Sequence, residues 1–549
     1  MAIAATAIWE IQNGGSDTLN GGGFDPGQAA GMFTDGAATV ANTAAPVFTS
    51  ASYSFVVGDI GAWVYIAAGA NWTPGWYVIN GVGGGAATLG AAIAAAVLSG
   101  LSPSTALGCA TVASPTGATW AIDYSQQAAR EIAYTDLTSG AAGATATSAA
   151  FPFAAQRVGN MVQVTGGVNA TVGVYTILSV AAGTVTFDRA WCTGAVAGDG
   201  AGGLGGALAS PGIADSLHVA GNVVCLKYNA TPYTLTSNSP GIAGGRFVGN
   251  GTSSTASVLV LGYETVRGAK PTNRPKVDWG VNAGSNYAFD MGAYGNIRHV
   301  IVDGKRASFT LTQGIKQTIG LAFNCKVMGC VANPYGVAGG PVLHWLCEST
   351  DNAGVIVIGA NTRYMAYGFN GHDNTVGVFT ISTGQGTWMY AIFDSNGGAG
   401  ISSTGASTLV VGNCDFYNNT GAGIDLTAVP NACIVVNTHF EANTTYGLSA
   451  SAANASVFML NPSFFGNGTA KHQNLTTRQI VNEVTVTASP YVNAAGGDFR
   501  KKSMGAGAVL IGVGAPDALP GSSNASYPDI GAYSPASILG NVPFGDGFV

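Results

Sequence analysis

The feature that most constrains this chain is a repeat of 23 to 25 residues near its C-terminal end. Phe393-Asp394-Ser395-Asn396 with Gly400-Ile401 matches Phe416-Tyr417-Asn418-Asn419 with Gly423-Ile424, then Phe440-Glu441-Ala442-Asn443 with Gly447-Leu448, then Phe465-Gly466-Asn467-Gly468. The aromatic recurs at spacings of 23, 24 and 25 and the asparagine at 23, 24 and 24. Short β-branched runs such as Ser257-Val258-Leu259-Val260-Leu261 and Gly354-Val355-Ile356-Val357-Ile358 alternate with Gly/Asn turns upstream. A unit this short cannot bury an apolar face alone; stacked on copies of itself it forms a parallel β-helix. Leucine-rich repeats share the length but need a Leu ladder that is absent. Each Phe is expected to point inward over the next, about 4.8 Å away, and the asparagines to form a hydrogen-bonded ladder. The stretch from Leu217 to Thr485 allows roughly a dozen coils and a rod on the order of 55 Å long.

Composition agrees. Glycine makes up 82 of 549 residues, hydrophobic residues 47% and charged residues only 9%, with a net charge of -7. So little Glu, Lys and Arg disfavours long solvated helices, and the glycines follow no Gly-X-Y period. They are expected at the sharp corners of coils, some with positive φ. No Lys/Arg-rich block is present, so nucleic acid is not an expected partner. The longest apolar stretch, Ala86 to Leu98, is too short and too interrupted for membrane insertion. The N-terminus has no basic region or sustained apolar run before Glu10, so no secretory signal is expected there. The eight cysteines, Cys109 among them, are scattered without a C-x-x-C pair and read as buried free thiols.

The N-terminal part is duplicated. Tyr53 to Leu89 aligns without gaps on Phe151 to Phe187 at an offset of 98, with identities that include Gly61/Gly159, Asn71/Asn169, Gly75/Gly173 and Gly85/Gly183. Trp9-Glu10-Ile11 parallels Trp120-Ala121-Ile122 upstream. Each copy reads as a small antiparallel unit in which Asn-x-Thr-x-Gly supplies a turn. The Gly198 to Gly206 run reads as a linker. The expected division is residues 1–118 and 119–206 for the two modules, 207–485 for the β-helix and 486–549 for a C-terminal closing segment. The fold class is all-β.

Ile301-Val302-Asp303-Gly304-Lys305, followed by the Phe-x-x-Asn…Gly-Ile coils, resembles the pectate-lyase-like right-handed parallel β-helix superfamily. Ser489-Pro490-Tyr491-Val492-Asn493, Gly497-Asp498-Phe499-Arg500 and Pro528-Asp529-Ile530-Gly531-Ala532-Tyr533 are similar to closing segments of virion-associated and surface β-helix proteins. The duplicated unit looks like modules that precede such helices in phage-type proteins. The resemblance implies a structural bacteriophage virion protein: a capsid-decorating spike, tail fibre or tailspike, homotrimeric and attached to other virion proteins through its N-terminal modules. It also leaves room for a depolymerase of bacterial surface polysaccharide, or for a bacterial surface adhesin. No cofactor and no metal are expected.

Register supplies the candidate site. If Phe393, Phe416 and Phe440 point inward, their neighbours point outward. Asp394, Tyr417 and Glu441 then form one exterior column, with Asp415 and His439 beside it. Asp394, Asp415 and Glu441 are the candidate catalytic acids of a glycan hydrolase or lyase, and Tyr417 and His439 the candidate binding residues. Asp394 and Glu441, two coils apart, would stand roughly 9 to 10 Å apart at the backbone, near the carboxylate separation of inverting glycosidases. The same residues equally suit a solvated face that keeps a low-charge rod soluble. Asp303, Lys305 and Arg306 form a second, weaker cluster. Asn370-Gly371-His372-Asp373-Asn374 departs from the Gly-His-Gly pattern of polygalacturonases.

Overall fold

The computed structural model describes residues 3–511 and 513, apart from 29–32, 39–46, 73, 91–92, 95–115, 266, 268–270, 282–286, 361, 429 and 452–455. Cys109 and the Pro528 to Tyr533 motif lie outside the described residues. The chain divides into two compact units, one up to Lys276 and one from Val277.

In the first unit the duplication extends to backbone dihedrals. Strands Trp63–Ala70, Gly75–Gly83 and Ala86–Leu89 reappear as Met161–Gly166, Gly173–Ala181 and Thr184–Phe187, each starting 98 residues later. Asn71 and Asn169 both have φ 61°, Gly61 and Gly159 have 88° and 87°, and Gly85 and Gly183 have 79° and 78°. The paired asparagines are thus left-handed turn residues, a conformation that Asn tolerates better than most side chains.

Three sequence expectations change here. Val196–Leu204 is no linker: it is a strand inside the second module's sheet, between Ile132–Ser139 and Met161–Gly166. Its glycines are needed because a Cβ at Gly202 would sit 2.7 Å from the Gln163 carbonyl oxygen, and one at Gly203 2.0 Å from that of Leu19. Thr116–Asp123 runs across the 118/119 boundary and pairs within the first module's sheet, with Trp63–Ala70 and Phe33–Ala38. The Trp9 segment is not its equivalent, because Ile8–Ile11 pairs in parallel with Val223–Lys227. Arg267 anchors that strand: fully buried, it donates to Glu10 at 2.9 Å and Asp123 at 3.0 Å, while Tyr263 and Gln126 also donate to Glu10.

The second unit is a parallel β-helix. Its long sheet runs from Gly295–Arg298 to Ile480–Val481, and a second sheet runs from Ile301–Asp303 to Val484–Thr485. A third, from Ile356–Ile358 to Ala470–His472, closes the later coils. These ladders bound about eight full turns, fewer than a dozen, since the coil-like strands Val223–Lys227 and Val258–Tyr263 belong to the first unit. Phe393, Phe416, Phe440 and Phe464 stack inside with ring centroids 4.7, 5.1 and 5.2 Å apart. The last rung is Phe464, not Phe465: Phe464 aligns with Phe440, and Phe465 falls on the outer column beside Glu441. The asparagine ladder is present and longer than the repeat suggested. Asn352, Asn374, Asn396, Asn419 and Asn443 each pass a side-chain N–H to the side-chain oxygen of the next asparagine, the last being Asn467, at 2.8 to 3.1 Å.

The coil glycines do a different job from the one expected. Two corners per coil have φ between 49° and 65°, but most are not glycine: Leu346, Tyr390, Asn413, Asn437 and Asn461 hold one, Asp351, Asp373, Ser395, Asn418 and Ala442 the other. Gly400, Gly423 and Gly447 serve the aromatic stack instead. A Cβ on them would lie 2.6 to 2.7 Å from the rings of Phe416, Phe440 and Phe464.

Candidate functional site

Strand pairing places the sequence-derived residues as the register required: Asp394 beside Tyr417, Tyr417 beside Glu441, and Asp415 beside His439. They are not, however, a shared open face. The antiparallel hairpin of Tyr491–Asn493 and Asp498–Lys501 folds back along this side of the coil. Tyr491 and Phe499 pack on Tyr417, with centroids 6.2 and 5.7 Å away, and Tyr491 packs on His439 at 5.4 Å.

Beneath the hairpin, Asp415 accepts a hydrogen bond from Tyr491 Oη at 2.7 Å and an ion pair from Lys501 Nζ at 3.1 Å, with both charged side chains fully buried. Glu441 lies 3.1 Å from His439 Nε2, and His439 Nδ1 lies 2.6 Å from Ser463 Oγ. Both rings and carboxylates are buried. The solvated column therefore reduces to Asp394 and part of Tyr417, because a segment that starts at least fifty residues later in the chain packs over this side.

Asp394 opens on a pocket of about 410 Å³ lined by Asn370, His372, Asp373, Ser395, the Ala495–Gly497 backbone and Phe499. Burial, with the nearby charge of Asp373, pushes the Asp394 carboxyl up to about 6 against the opposing pull of His372. One coil earlier stands a row that sequence reading missed. Lys326 Nζ donates to Glu348 Oε1 at 2.6 Å; His372 donates through Nε2 to the same oxygen at 2.9 Å and through Nδ1 to Asp373 at 2.8 Å. Burial works against charge on His372, but its bonds to Glu348 and Asp373 prevail and hold it up to about 9. Burial likewise opposes the Glu348 charge, yet His372 and Lys326 bring that carboxyl down to about 2. Lys326, Glu348, Asn370 and Ile392 recur every 22 residues on aligned strands, but no shared residue type marks the column in the sequence.

The weaker cluster is a corner. Lys305, at φ 50°, pairs with Asp278 and Asp303, each at 3.2 Å, and Arg306 pairs with Asp351. No group of three or more metal-ligating side chains gathers among the described residues. No helix among them is long and apolar enough to cross a membrane.

Residues 347–486 match the family model of the right-handed beta helix region, which fixes the hand of the coil. No curated protein matches the sequence. Among solved structures, pectate lyase Pel9A is 14% identical, with 60% of this chain and 91% of that chain covered and a TM-score of 0.39. The catalytic unit of the GH87 alpha-1,3-glucanase of Streptomyces thermodiastaticus is 9% identical, covering 67% and 88%, at a TM-score of 0.26. Geobacillus virus E2 ORF18 is 15% identical, covering 49% and 54%, at a TM-score of 0.25. Likenesses this distant carry nothing about substrate or reaction.

Proposed function

We propose that this protein is a structural rod of a bacteriophage particle, a capsid-decorating spike, tail fibre or tailspike, whose duplicated N-terminal modules attach it to other virion proteins. The observation that supports a structural role is the closure of the acidic face. Asp415 is spent on a buried ion pair and Glu441 faces a buried histidine, so neither can meet a substrate. A β-helix whose coils are tied by ladders suits an exposed, protease-rich setting. The test is twofold. Purified protein incubated with capsular and lipopolysaccharide glycans should release no reducing ends or unsaturated products. Gold-labelled antibody should decorate assembled particles. Labelling confined to unassembled protein would overturn the virion reading.

A second reading, a polysaccharide depolymerase, is favoured by Asp394. A carboxyl raised to about 6 in an open polar pocket, next to the carboxylate of Asp373, keeps more of its proton near neutrality than an ordinary aspartate does, as a general acid requires. Glycan turnover that Asp394→Asn abolishes while the fold is kept would establish this reading in place of the first.

A further inference from the structure

The three outer faces of the coil in the second unit differ in chemistry. The face under the C-terminal hairpin carries the charges. The face of Ile356–Ile358 to Ala470–His472 is mostly polar, with Thr380, Ser402, Asp425 and Ser449 pointing out in register. The long sheet is the exception. Over the eight strands from Gly320–Phe323 to Ile480–Val481, outward positions are overwhelmingly apolar and Arg363, at one edge, is the only Lys, Arg, Asp or Glu. Met365, Ile434 and Phe458 are 49%, 39% and 42% exposed, and lie in one aligned column. The adjacent column holds Trp345, Tyr367 and Met389.

Exposed apolar surface on this scale marks an interface. Strands about 4.8 Å apart and five residues wide give this face a flat footprint on the order of 500 Å². Side-chain relief raises that toward the roughly 800 Å² per partner that stable interfaces bury. The neutrality of the face gives a polyanion no counter-charge. Trp345, Tyr367 and Tyr390 pack on one another along the rod at tilted angles, with centroids 4.7 and 5.2 Å apart. A partner must offer an equally straight, uncharged stripe of matching length, and a second copy of the same face does so with the same strand repeat.

We propose that the outer face of the long sheet is where copies of this chain associate side by side. The assignment does not depend on a virion role. The experiment is sedimentation equilibrium on the full chain at micromolar concentration. Wild type should sediment at a multiple of 54.9 kDa. Ile434→Asp with Phe458→Asp should return it to the single-chain mass with an unchanged far-ultraviolet spectrum. The milder Thr387→Arg, also outward on this sheet, should weaken association at least tenfold should the double variant fail to fold. Ser402→Asp with Ser449→Asp, on the polar face, should leave the mass unchanged. A monomeric wild type, or an oligomer that survives both apolar-face variants, overturns the proposal. So does a monomer in which those variants expose the C-terminal tail to protease, since the tail would then be the occupant.

Discussion

Lys501 and Asp415 hold the C-terminal hairpin against the coil, and their pairing sets the cost of losing either. Breaking a buried ion pair by removing one partner costs about 3–5 kcal/mol, because the other charge stays buried and uncompensated. Lys501→Met should therefore lower stability by about that amount in urea titration, far more than Lys502→Met, whose lysine is exposed. His372 gives a pH signature. Its folded value of about 9 lies above the unfolded value of about 6.5, so its contribution is complete below about pH 6.5 and disappears as pH rises through about 9. Tm measured from pH 6 to 10 should fall more steeply for wild type than for His372→Gln. Inside the coil, His344 has the opposite sense. Burial holds it neutral, down to about 3, with Tyr364 Oη donating to Nδ1, so the stability it supports is lost as pH falls from about 6.5 toward 3.

Among elements, the asparagine ladder offers the sharpest test. Asn419 Nδ2 donates to the Phe393 carbonyl and to Asn443, and its Oδ1 accepts from the Asn396 backbone and side chain. Asn419→Ala leaves several buried groups unmatched, at about 1–3 kcal/mol each before relaxation. A loss of at least about 2 kcal/mol in urea titration is expected, whereas Asn418→Ala, at an exposed corner, should show much less. This ladder and the Phe stack were legible in the sequence because identical residues recur on identical rungs. The Phe464 rung was misread because two adjacent phenylalanines fit the spacing equally and only strand register separates them. The Lys326 to His372 row was hidden by unlike residues sharing one column. The closing segment was legible by resemblance, but not the face it covers: no periodicity relates Tyr491 or Lys501 to the coil they pack on. The glycine corners were misjudged for a related reason. A short polar side chain, or a ladder of them as at Asn437, Asn461 and Asn482, can stabilise a left-handed corner that sequence alone assigns to glycine.

At the scale of the whole molecule, the seven described cysteines are all free and buried. Burial raises the thiols of Cys225, Cys330, Cys414 and Cys433 far above their ordinary range. Thiolates are the reactive form. In native protein at pH 8 these seven thiols should therefore react only slowly with a thiol reagent, and all eight cysteines of the chain should react in denaturant. Reducing agent should leave Tm unchanged.

The left-handed corners also record the girth of the rod. Leu346, Gly368 and Tyr390 are 22 residues apart, Asn413 follows after 23, and Asn437 and Asn461 after 24 each. The Phe stack begins where the circumference starts to grow: the rung before Phe393 is Gly371. Wider coils enclose more volume, and the added rings fill it. Coils are therefore interchangeable only with others of their own circumference. A 22-residue coil spliced between Phe416 and Phe440 would either crush the rings or leave a void, so lineages of this rod can lengthen or shorten only by duplicating and deleting turns next to their like.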